Sequence, residues 1–139
     1  MIKYTSSTHG LTPDNLRGFF VGWPKPPSTE TFLKILEQSY EIVLAIDDTT
    51  DHVIGFVNAI SDGILSAYIP LLEVLPEYQG RGIGKELIRR MLRKLDGLYM
   101  IDLVRDEKLQ SFYEKIGFQA GPAMVIRNFD NQSGKKTKK

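Results

Sequence analysis

The sequence predicts one mixed α/β domain with the element order βααβββαβαββ over residues 1–128, followed by a polar, basic, disordered tail at 129–139. Three observations predict it. An apolar run, residues 69–75, stops at Pro76 and passes through Gly80, Gly82 and Gly84 directly into helical spacing at Ile83, Leu87, Ile88, Met91, Leu92 and Leu95. Two apolar runs before it flank the turn cluster Asp47-Asp48-Thr49-Thr50-Asp51 and read as an antiparallel hairpin. A further strand after the central helix completes a strand–helix–strand unit, which implies a right-handed parallel crossover.

Residues 2–5 suit a short edge strand. Thr12-Pro13-Asp14 opens a short helix, with Thr12 as N-cap and Pro13 at the first helical position. Gly22-Trp23-Pro24-Lys25-Pro26-Pro27 breaks any helix and forms a loop. A second helix runs from Ser28 to about Ser39, burying Phe32, Leu33, Ile35 and Leu36. Strands follow at 40–46, 53–60 and 67–75, the central helix from 83, and a strand at 98–104. A last helix at 107–116 aligns Leu109, Phe112, Tyr113 and Ile116, and Gly117 ends it. Residues 118–119 and 124–127 supply two terminal strands around Gly121-Pro122.

With 139 residues the chain is long enough for one real core, and its net charge of +1 leaves no nucleic-acid footprint. It has no cysteine, so a disulfide, a thiol nucleophile and a thiolate metal site are excluded. A reducing, cytoplasmic setting fits. The N-terminus lacks a signal-peptide core, and no apolar run reaches membrane-spanning length, so no membrane partner is expected. His9 and His52 stand apart beside loop residues and read as solvated, with no metal site around them. The one tryptophan, Trp23, either plugs one end of the core or, with Phe19 or Phe20, lines a pocket.

The chemistry concentrates at the glycine turn. A helix N-terminus offers free N–H groups and a partial positive charge, and glycines let an anion approach the backbone. A phosphate or pyrophosphate is the ligand this turn suits. The dinucleotide fingerprint fails because its sixth position is Lys85, and the P-loop pattern fails at Gln79 and Glu86. On the turn alone, a glycine-rich connection without a ligand is the alternative reading.

What does fit is Gln79-x-x-Gly82-x-Gly84 within the run VLPEYQGRGIGKELI. This run resembles the acetyl-coenzyme A loop of the GNAT superfamily of N-acetyltransferases. A second patch, Leu109-Gln110-Ser111-Phe112-Tyr113-Glu114-Lys115-Ile116-Gly117-Phe118, is similar to that family's aromatic–tyrosine motif, and the element order is the family's own. The resemblance implies a GNAT fold and an acetyl-CoA-dependent N-acetyltransferase. Its acceptor would be a small-molecule or peptide amine, attacking directly in a ternary complex. The resemblance further implies that Val74 binds the pantetheine arm and polarises the acetyl carbonyl. Gln79, Gly80, Arg81, Gly82, Ile83, Gly84 and Lys85 would hold the pyrophosphate. Tyr113 would be the general acid at the departing thiolate.

Glu73, next to Val74, is the first candidate for general base, with a carboxylate facing elsewhere as the alternative. Ser66 and Tyr68 could instead hold a water on the same strand. Asp106 departs from the family, which often has asparagine seven residues before the tyrosine. A homodimer through the C-terminal strands or sheet edges is a further implication. The competing function is a catalytically silent domain that senses acetyl-CoA.

Overall fold

Five strands lie in the order β1-β2-β3-β4-β5, which is also their order in the chain. A computed structural model describes residues 1–135. The strands are β1 Ile2–Thr5, β2 Glu41–Asp47, β3 His52–Ser61, β4 Ser66–Val74 and β5 Met100–Asp102. The first three pairings are antiparallel and β4–β5 is parallel, as the crossover rule requires. The turns are fixed by carboxylates. Asp47 accepts from the Thr49 amide and hydroxyl, and Asp62 accepts from the amides of Ile64, Leu65 and Ser66. These side chains satisfy turn amides that no ladder reaches.

Helix α1, Thr29–Gln38, starts where Ser28 Oγ accepts from the Thr31 amide at 3.1 Å. Helix α2, Ile83–Lys94, buries Ile83, Leu87, Ile88 and Met91. It packs close to β3 because Gly55 has no side chain. A Cβ there would lie 3.1 Å from Leu87 Cδ1 and 3.4 Å from Ile83 Cγ2. On the opposite face of the sheet, Phe56 meets Phe19, Phe20 and Phe32 in an edge-on and tilted cluster. Phe32 and Phe56 are essentially fully buried, each contributing about 2–3 kcal/mol by transfer from water.

Several elements are shorter than the sequence suggests. The first helix is a single 3-10 turn, Pro13–Leu16, held where the Thr12 amide donates to Asn15 Oδ1 at 2.9 Å. The strand expected at 98–104 pairs only over Met100–Asp102. The helix expected at 107–116 is a 3-10 turn, Glu107–Leu109, running into α3, Gln110–Glu114. The two terminal strands, 118–119 and 124–127, are not formed among the described residues. Pro122 has no N–H to give, and β5 pairs over three residues, too short an edge to template them. Met124 and Ile126 therefore stand 99% and 94% exposed. The tail expected to be disordered begins in order: Phe129–Asn131 is a 3-10 turn, and Gln132 Oε1 accepts from the Lys25 amide at 2.9 Å. The lysines beyond 135 lie outside the described residues.

Candidate active site

Register decides which way the β4 side chains face. Val74 pairs with Gly55, and Glu73 pairs with Phe56. Directly opposed residues share a face. Val74 therefore points to the α2 side, where its Cγ2 lies 3.4 Å from a Cβ built on Gly55. Glu73 points to the opposite face, among the phenylalanines. Its Oε1 accepts from the Phe20 amide at 2.9 Å and its Oε2 from the Val21 amide at 3.2 Å.

β4 and β5 pair only at Ser66–Met100, Ala67–Ile101 and Tyr68–Asp102. Beyond Tyr68 no strand among the described residues lies beside the β4 edge, so the two strands splay. The Leu75 amide donates to Ile54 O on β3. Backbone direction alternates along a strand, so the Val74 N–H points away from β3, into the splay.

The chain then turns through a 3-10 helix, Pro76–Tyr78, into the glycine loop. Gly80 and Gly82 both adopt φ +79°, a left-handed conformation that side chains with a Cβ resist. A Cβ at either position would meet nothing within 4 Å, so the surface above both is open. Gly82 is the N-cap of α2, and the first bond of that helix runs from the Glu86 amide to Gly82 O. The amides of Ile83, Gly84 and Lys85 thus lack intrahelical acceptors, which makes an anion cradle. The open surface and these donors fit a pyrophosphate.

Two side chains of the motif have structural work. Gln79 Nε2 donates to Val74 O at 2.9 Å and ties the loop to the end of β4. The Arg81 guanidinium donates to Glu77 O and sits 5.1 Å from the Tyr78 ring centroid. Lys85 makes no ion pair among the described residues. Tyr78 anchors the loop from the other side, its hydroxyl donating to Asp47 Oδ2 at 2.7 Å. Hydrogen bonds from Thr49 and Tyr78 lower the Asp47 carboxyl to about 2, and the same Asp47 bond raises the Tyr78 phenol. Tyr78 lies in the loop run, but Asp47 is a turn residue far from it in sequence, so only the fold brings the two together.

Tyr113 is buried at 7% exposure, packed edge-on against Phe112 and Phe118. Its hydroxyl makes no hydrogen bond among the described residues, and burial raises its pKa. It lines a cleft of about 910 Å3 with Tyr68, Asp102, Arg105 and Gln110. Phe112 joins this region to the glycine loop, since a Cβ on Gly84 would lie 3.8 Å from both Phe112 Cζ and Val74 Cγ2. Val74, the α2 N-terminus and α3 therefore converge. Glu73 and the glycine loop do not line that cleft. Asp106 is the exposed residue before the Glu107–Leu109 turn.

His52 is not merely solvated: its Nε2 lies 3.0 Å from Arg17 O. Trp23 is not a core plug, being 37% exposed with its ring 4.9 Å from that of Phe20.

The family model described as "Acetyltransferase (GNAT) domain" matches residues 38–120, more than half of the chain. The chain belongs to the GNAT acetyltransferase family. A crystal structure of a Deinococcus radiodurans R1 protein assigned as an acetyltransferase is similar at a TM-score of 0.94. The two share 47% identity over 98% of this chain and 94% of that one. "Histone acetyltransferase TAP1" of Glycine max is 33% identical over 113 residues, 73% of this chain and 48% of that protein. "GCN5-related N-acetyltransferase 2, chloroplastic" of Arabidopsis thaliana is 31% identical over 122 residues, 73% of this chain and 47% of that protein. The chain spans about half the length of these curated relatives. No helix among the described residues is long and apolar enough to cross a membrane.

Proposed function

We propose that the chain transfers an acetyl group from acetyl-CoA to a primary amine, by direct attack within a ternary complex. The observation that carries this reading is the adjacency of the open β4 edge at Val74 to the unpaired amides of the α2 N-terminus. One binds a carbonyl or amide, the other a pyrophosphate, and a coenzyme A thioester carries both.

Each residue then has one task. The amides from Gly80 to Lys85 hold the pyrophosphate, with Arg81 and Lys85 adding positive charge. The Val74 N–H donates to the oxygen that gains charge when the amine nitrogen attacks the thioester carbon. A primary alkylamine has a pKa of about 10, so it must lose a proton to attack. Glu73 is the carboxylate nearest that strand end. Each of its oxygens accepts one amide and retains a lone pair for a bridging water, through which the amine proton passes to the carboxylate. As the C–S bond breaks, the Tyr113 hydroxyl gives its proton to the sulfur. A phenol of ordinary pKa about 10 already keeps that proton at neutral pH, and burial shifts it further the same way.

The absence of cysteine disfavours a route through an acetyl-thiol enzyme. It is also compatible with a reducing compartment such as the cytoplasm, although the names of two relatives include a chloroplast location. A homodimer formed through the exposed apolar segment around Met124 and Ile126 completes the proposal.

Thiol release from acetyl-CoA tests the reading, run with a panel of an arylalkylamine, a polyamine, an aminoglycoside and a peptide α-amine. Amine-dependent release that drops in Tyr113→Phe, with acetyl-CoA affinity retained, supports an enzyme. Release by no amine, with acetyl-CoA still bound, identifies a sensing domain instead.

A further inference from the structure

We propose that Glu73 is a positioning residue. Its carboxylate, forked onto the Phe20 and Val21 amides, locks the aromatic turn 20–23 against the end of β4 and fixes the wall past which the acceptor amine enters.

The turn would not hold itself. Phe20 has φ +63°, which is costly for a side chain with a Cβ, and the flanking Gly18 and Gly22 are also left-handed. Among the described residues only one backbone bond closes the turn, from the Trp23 amide to Phe20 O at 3.1 Å. Two successive amides converge on one carboxylate, 2.9 and 3.2 Å away, and bonds to a charged acceptor are the strong kind. Two further contacts pin the upstream end. His52 Nε2 lies 3.0 Å from Arg17 O, and a Cβ on Gly18 would sit 3.3 Å from Leu75 Cδ2.

The clamp joins two regions with different tasks. Phe20, at 4% exposure, anchors the turn in the aromatic cluster, whereas Val21 and Trp23 are 59% and 37% exposed. Glu73 itself is the neighbour of Val74. The exposed part of the turn is therefore held at a fixed offset from the proposed acetyl position, on the face opposite α2. That this face receives the amine rests on the proposed acetyl transfer; the clamp does not.

Trp23 is the only tryptophan in the chain, so its fluorescence reports on the turn without any substrate. In Glu73→Gln the new amide group opposes a backbone N–H, and in Glu73→Ala both acceptors are gone. Both variants should show red-shifted Trp23 emission and stronger acrylamide quenching, while acetyl-CoA affinity is unchanged. With the best amine of the panel, the acceptor KM should rise about tenfold or more, the loss typical of charge-assisted bonds. Unchanged emission and quenching would overturn the clamp whatever the enzyme does. A fall in kcat with unchanged acceptor KM, together with loss of the acid limb of the kcat pH profile, would overturn it in favour of Glu73 as the base alone. If neither variant folds, amide exchange in the wild-type protein decides. Slow exchange at the exposed Val21 requires the carboxylate acceptor, and random-coil exchange there would remove it.

Discussion

Tyr113 carries the catalytic proposal, and its setting determines how it should respond. Burial favours the neutral phenol, so the hydroxyl keeps its proton as pH rises past the ordinary tyrosine value of about 10. Activity that depends on it should decline only above that point, and a pH profile of kcat checks this. Tyr113→Phe should lower kcat by about a hundredfold or more, the usual worth of a positioned acid, with acetyl-CoA affinity unchanged. Tyr113 could be found in the sequence because it sits in a dense motif. The partners of Glu73 could not. Alternation along β4 leaves two possible faces, and only pairing with Phe56 on β3 selects the one that meets Phe20 and Val21.

At the scale of elements, the glycine loop is held between β4 and the β2–β3 turn. Gln79 ties it to Val74, and Tyr78 ties it to Asp47. The Asp47 carboxyl is lowered to about 2 in the folded chain, against about 3.9 when unfolded. Its contribution to stability is therefore complete above about pH 4 and is lost as pH falls through about 2. Acid unfolding followed by circular dichroism should lose part of its pH dependence in that window in Asp47→Asn, and in Tyr78→Phe to a lesser degree. The packing of α2 on β3 supplies a second test. Gly55→Ala brings a methyl to 3.1 Å from Leu87 Cδ1 and should cost about 1–3 kcal/mol in denaturant unfolding. The hairpin and α2 were readable from periodicity because each buries a regular stripe. The start of the short helix at Pro13 was readable too, but not its length, because the chain turns extended at Arg17 after a single turn.

Across the whole molecule, the β2–β3 hairpin and the parallel β4–β5 pairing follow from chain connectivity, so the sequence anticipated them. The terminal strands were misread because a strand needs a partner as well as a pattern. Residues 124–127 have the apolar composition, but the three-residue β5 offers them little edge. In the proposed homodimer, a second copy covers that apolar segment. Sedimentation should then show a dimer that dissociates in Met124→Asp combined with Ile126→Asp, two positions 99% and 94% exposed in the single chain. A monomer at all concentrations would leave the segment without that role.

The central claim is that the open β4 edge and the α2 N-terminus together bind acetyl-CoA. Calorimetric titration of the wild-type protein and of Gly82→Glu tests it most directly. Gly82 sits at φ +79° beneath open space, so the substitution strains the N-cap and projects a carboxylate into the anion cradle. The account predicts micromolar binding by the wild type and none by a folded Gly82→Glu. Equal binding by both, or none by the folded wild type, would contradict it.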